Sequence, residues 1–142
     1  MKIVVWLFLL MNSIWQQTDS KNQILKDWIA TQNQGSDKAI NTFIDRWFSE
    51  ELKAGITDRS KHVTFYRQII DEFGEIQETV YEVMESTPTK LKVQLLKKNT
   101  PFLPEPSPEN ILVVEIDVQK NHPNQLARGL GMGALICYIK RD

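Results

Sequence analysis

Cysteine and histidine are scarce in this chain, and their scarcity removes several kinds of chemistry. A single cysteine, Cys137, excludes an intramolecular disulfide, and the two histidines, His62 and His122, have no metal-ligand partner at useful spacing. Cys137 lies in the apolar run 134–139 and reads as a small core residue; a nucleophilic thiol would want an electropositive, partly exposed setting with a base nearby. His62 sits at a helix start among polar neighbours and His122 in the turn 120–124, so both read as surface side chains. An excess of either charge is missing as well. Seventeen basic and eighteen acidic residues leave a formal charge of −1, with no dense basic stripe, which argues against nucleic acid or an anionic membrane as a partner. The short pairs Lys97-Lys98 and Lys140-Arg141 read as solvated surface charge.

What is present is ordinary for one folded domain: 142 residues, of which 42% are hydrophobic and 25% charged. The first residues form a separate unit. Met1-Lys2 is a positive start, Ile3 to Met11 is uninterrupted apolar sequence, and Asn12 to Ser20 is polar except for Ile14 and Trp15. This order predicts a secretory signal peptide over residues 1–20 and hence a periplasmic or secreted protein, because the apolar run is too short to span a bilayer stably. No small-x-small pair marks a cleavage site, and no cysteine follows to carry a lipid. The competing reading is an N-terminal helix or strand packed in the domain.

From Asn22 to Gly74 the apolar period is helical. Ile24, Leu25, Trp28 and Ile29 share one face, and Gln34-Gly35 ends that segment. Ser36 or Asp37 can cap a second helix carrying Ala39, Ile40, Phe43, Ile44, Trp47 and Phe48. A loop is expected around Ala54-Gly55. Asp58 or Ser60 then starts a third helix with Val63, Tyr66, Ile69, Ile70 and Phe73, stopped by Gly74.

After Gly74 the period changes to two. Glu75 to Met84 is rich in β-branched and aromatic residues, and Thr87-Pro88-Thr89 is a turn. Leu91, Val93 and Leu95 alternate with Lys90, Lys92 and Gln94, the pattern of a strand with one wet face. Ile111 to Val118 alternates similarly, with Glu115 and Asp117 outward. A last strand is expected from Leu126 to Ile139, bent at Gly129, Gly131 and Gly133; those glycines lack the strand-before, helix-after setting of a phosphate loop. The fold expected over residues 21–142 is therefore α+β: N-terminal helices packed on a curved antiparallel meander of about four strands.

Four short stretches carry a resemblance. Asn33-Gln34-Gly35-Ser36-Asp37, Asp71-Glu72-Phe73-Gly74, Glu85-Ser86-Thr87-Pro88-Thr89-Lys90-Leu91 and Arg128-Gly129-Leu130-Gly131 follow one another in an order similar to the N-terminal accessory domain of exported bacterial serine β-lactamase-like hydrolases and tail-specific-type peptidases. The resemblance spans roughly Asn22 to Tyr138. It implies a cystatin-like or NTF2-like fold and an accessory role apart from the chemistry. The chain lacks the Ser-x-x-Lys nucleophile motif of the β-lactamase-like enzymes, so the resemblance carries over no hydrolase residues.

The chain also departs from that pattern at residues 99–109, where a long connection replaces a tight hairpin. Pro101, Pro104, Pro106 and Pro108 stiffen it and present Phe102 and Leu103. One reading is a recognition loop for another protein; the other is a rigid spacer with Phe102 tucked against the sheet. A second candidate is an apolar pocket between helices and sheet lined by Trp28, Trp47, Tyr66 and Tyr81, with Asp45 or Asp71 nearby to move a proton on a small ligand. The alternative is that these aromatics fill the core. No cofactor is implied. The function expected is a non-catalytic exported binding module, with a small-ligand binder or minor enzyme as the competing class.

Overall fold

A computed structural model describes residues 20–139, so the signal peptide expected over residues 1–20 lies, apart from Ser20, outside the described residues. Four helices come first. Helix α1 covers residues 20–34, and Gly35 ends it with a φ of 65° that a glycine adopts without strain. Helix α2, Asp37–Trp47, begins where the Ser36 hydroxyl accepts the Ala39 N–H. A short helix α3, Glu50–Gly55, stands where the sequence predicted only a loop; the Ser49 hydroxyl caps it by accepting from Leu52 N–H. Its six residues have no apolar period to detect, and none of them is buried. Helix α4, Arg59–Phe73, is capped by Asp58, whose carboxylate accepts from the Ser60 hydroxyl and from the Lys61 and Ser60 N–H groups and is thereby held below its usual pKa range.

Strands β1 (Ile76–Ser86), β2 (Lys90–Lys97), β3 (Ile111–Asp117) and β4 (Gly131–Ala134) form one antiparallel sheet in the order β1-β2-β3-β4. The fold is α+β with a meander sheet, as the change of period predicts. β1 uses eleven residues against the eight of β2, and its register shifts at three places. Such bulges coil the edge of the sheet.

The helices cover one face. Ile24, Trp28, Ile40 and Ile44 interlock with Leu95, Leu112 and Ile116, all at 0% exposure, so this layer removes the greater part of the apolar surface from water. Leu126 plugs its end, bridging Phe48 on one side and Val118 on the other.

The opposite face corrects the expectation of a wet surface. Leu96 pairs with Ile111 and Gln94 with Val113, and these four side chains are buried although they point away from the helices. Their cover is irregular chain. The connection after β2 includes the buried Pro106 and a 3-10 turn, Pro108–Asn110, against which helix α5, Leu135–Ile139, packs. Farther along the same face Lys92 pairs across strands with Glu115 at 3.2 Å, and Arg128, in the loop before β4, pairs with Asp117 at 2.8 Å.

The long last strand is the second correction. Only Gly131–Ala134 joins the sheet, and the chain then turns into α5. Glycine makes the turn-back possible: a Cβ on Gly133 would stand 3.2 Å from the Tyr138 ring, and one on Gly131 would stand 2.7 Å from a Glu115 carboxylate oxygen. Cys137 consequently lies on the exposed side of α5 and is not a core residue.

Candidate functional site

Of the four aromatics predicted to line one cavity, the fold packs Trp28 against Tyr66 in the core, sets Trp47 at the core's margin and places Tyr81 elsewhere. Trp28 is fully buried, with its ring edge-on to Phe43 at 5.2 Å and tilted against Tyr66 at 5.1 Å. Each ring occupies the space beside the next, at spacings typical of core aromatic pairs. The Trp28 indole N–H donates to Gln32 at 3.1 Å, and Gln32 in turn donates to the Gly74 carbonyl at 2.9 Å. That chain fixes the end of α4 to α1.

Tyr66 is also interior, and burial pushes its phenol pKa up. Its oxygen accepts the Leu130 N–H at 3.0 Å. Gly129 permits this approach, since a Cβ there would come within 3.1 Å of the Tyr66 oxygen and 3.2 Å of His62 Nε2. The Arg128-Gly129-Leu130-Gly131 stretch therefore serves packing on both sheet faces. His62 is half-buried between Phe48 and Tyr66, edge-on to both at 5.5 and 5.2 Å, which corrects its reading as a surface side chain. Desolvation lowers its pKa.

Trp47 is buried at the margin, and its indole donates to Asp27 at 2.8 Å. Arg46 reaches the same carboxylate oxygen at 2.8 Å and stacks over the Trp47 ring at 4.8 Å. Sequence reasoning nominated Asp45 and Asp71 and missed Asp27. Asp45 instead pairs with Arg59 at 2.7 Å, and Asp71 with Arg67 at 3.1 Å, both on the surface. A carboxylate is not recognisable as an indole acceptor until α1 and α2 are packed together. Among the described residues, no group of three His, Cys, Asp or Glu side chains is placed to hold a metal ion.

Tyr81 departs furthest from the expected grouping. It follows a bulge in β1, and its ring meets Phe102 of the proline-rich connection at 5.5 Å, edge to face. The pocket candidate and the loop candidate thus meet at one place. Gln77 donates to the Thr100 carbonyl at 2.6 Å, Pro106 is buried, and the Pro108–Asn110 turn hands the chain to β3, so the loop is held at its base. Between these anchors Pro101 and Pro104 are exposed, Phe102 keeps 47% of its surface in water, and Leu103 keeps 84%. An exposed leucine beside a half-exposed phenylalanine is a small apolar knob on a fixed stem.

No protein-family model matches this chain, and neither curated proteins nor solved structures provide a match. No helix among the described residues is long and apolar enough to cross a membrane.

Proposed function

We propose that this protein is an exported, non-catalytic binding module whose proline-rich connection engages another protein. The observation that carries this reading is the display of Phe102 and Leu103 on a loop whose two ends are fixed to the sheet. A loop held in place before binding loses little conformational entropy when a partner closes on it. Export rests on the charge and hydropathy order of residues 1–20. The competing small-ligand reading draws no support from the interior, where Trp28, Phe43 and Tyr66 pack against one another.

Capture of partners from the native envelope, with the intact chain and with a Phe102→Ser, Leu103→Ser variant as baits, tests the proposal. Substitution at the tip is the sharper tool, because deleting residues 101–108 would also uncover the sheet face beneath the buried Pro106. The expected result is loss of a reproducibly captured protein with no change in thermal unfolding. Identical captures from both baits would remove the loop from the function.

A further inference from the structure

Residues 131–139 are fastened less securely than the strands they cover. β4 joins the sheet through Gly131–Ala134 alone, two of its four residues are glycine, and none is fully buried. The five residues of α5, Leu135–Ile139, make little more than one helical turn, which is too short to hold its shape without a surface beneath it. Leu135, Ile136 and Tyr138 are half-buried on that surface, while Cys137 and Ile139 are exposed. The strands below differ sharply, with Val93, Leu95, Val113 and Val114 at most 1% exposed. A segment with few buried apolar groups, lying on a fully buried sheet, opens at a lower free energy than the domain unfolds.

What α5 rests on gives that opening a consequence. The helix packs against β3, β4 and the 3-10 turn Pro108–Asn110. That turn closes the proline-rich connection, with the Asn110 N–H donating to the Ser107 carbonyl at 2.9 Å, and leads directly into β3. The other end of the connection is fastened to β1, by the Gln77 amide on the Thr100 carbonyl and by the Tyr81 ring on Phe102. The loop that displays Phe102 and Leu103 is therefore held at one end by an eleven-residue strand and at the other by a turn lying under α5. Tyr138 pins α5 in place. Its ring lies where a Cβ on Gly133 would come within 3.2 Å, and Lys92 Nζ stands 5.5 Å from the ring centroid while pairing with Glu115 at 3.2 Å. One aromatic side chain thus joins the helix to β4 and to β2.

We propose that α5 is a detachable strap, which opens together with the Pro108–Asn110 turn as one local unit and, when docked, keeps Phe102 and Leu103 in position for a partner. The last clause rests on the binding role proposed above; the coupling of strap and turn does not. Opening removes part of the cover of Leu96, Ile111 and Val113, so the open state is a minor population. A partner that grips the loop then favours the docked strap by the same factor by which docking favours the partner.

Hydrogen exchange of the full chain, followed by NMR, tests this. The protected amides of residues 131–139 and the Asn110 amide are expected to share one opening, at least about tenfold more frequent than the openings at Val93 and Val114. Tyr138→Ala should speed exchange about tenfold at Asn110 and in 131–139 alike, because it removes a half-buried aromatic, and should leave Val93 and Val114 unchanged. Tyr138→Phe should stay close to the native rates. A chain ended at Ala134 should keep the protection of Val93 and Val114 and lose the nuclear Overhauser contact between Phe102 and Tyr81. The proposal is overturned if 131–139 exchange only with Val93 and Val114, if Asn110 fails to follow Tyr138→Ala, or if the shortened chain either keeps the Phe102–Tyr81 contact or does not fold. None of these measurements involves a partner, so their failure leaves the capture experiment standing, and a failed capture leaves the strap standing.

Discussion

The two faces of the sheet are covered by different means. On one face, amphipathic helices lay Ile24, Trp28, Ile40 and Ile44 over the core-facing residues of β2 and β3. On the other, a proline-rich connection, a 3-10 turn and the short α5 shelter Leu96, Ile111 and Val113. The first cover is periodic, so each residue supports its neighbours through a continuous stripe. The second depends on single contacts, of Pro106 below and of Tyr138 against Gly133. A surface assembled that way leaves apolar groups at its margin, and Phe102 and Leu103 are the groups it leaves. The face that carries the stability and the face that carries the proposed binding are thus distinct.

Substitutions on each side test that division. Trp28→Ala should have the largest effect, a loss of about 3–5 kcal/mol in urea unfolding, because it opens a cavity beneath Phe43 and Tyr66 and frees the buried Gln32. Leu96→Ala probes the other face, where the side chain is equally inaccessible at 0% exposure. A loss of about 2–4 kcal/mol is expected. A change near zero would mean that the irregular cover collapses onto the gap or contributes nothing, and the sheet would then have one structural face.

Gly131→Ala is a smaller perturbation on the same side. Its new Cβ would meet the Glu115 carboxylate, whose far end can swing away, but it would also press on the Glu115 Cβ at 3.2 Å. A cost of about 1 kcal/mol is expected, with the Lys92–Glu115 pair displaced. Addition of Glu115→Ala removes the carboxylate but keeps the Cβ, so it should restore only the part of the loss that the carboxylate causes; full restoration would show that the Cβ contact costs nothing.

The same division explains what the sequence disclosed. The α2 and α4 stripes, the capping residues Ser36 and Asp58 and the alternation in β2 and β3 are local patterns with fixed periods, and each marks an element in the structure. Alternation also suggested that Gln94 faced water, since a pattern of polar and apolar residues contains nothing about a loop folding over it. The same limitation hid α5, whose run Leu135-Ile136-Cys137-Tyr138-Ile139 is as apolar as a strand and is set as a helix by packing over Gly133. For the candidate sites, the proline spacing drew attention to Phe102 and Leu103, whereas Tyr81 was assigned to the wrong face because a bulge reverses the alternation.

The smallest expected effect concerns the end of the helical layer, where His62 makes the regular face depend on pH. The ring is clamped between Phe48 and Tyr66, with Gly129 against its Nε2, and the charged groups nearest it in the chain are Lys61 and Arg59 on its own helix and Asp58 at the helix cap. Burial holds the imidazole below its usual value of 6.5, so the folded chain favours the neutral ring. As pH falls through 6.5 the unfolded chain takes up the proton first. The contribution of a neutral His62 is therefore full above that pH and declines below it, until the folded ring titrates as well. Melting temperatures measured between about pH 7.5 and pH 5 should fall more steeply for the native sequence than for His62→Gln, which keeps a similar volume without the titrating ring. The pH range is bounded below by carboxylates such as Asp58, whose own pKa is depressed. Parallel curves for the two proteins would mean that the ring accepts its proton in place, and that the packing of Gly129 on Tyr66 and His62 tolerates a charge at its centre.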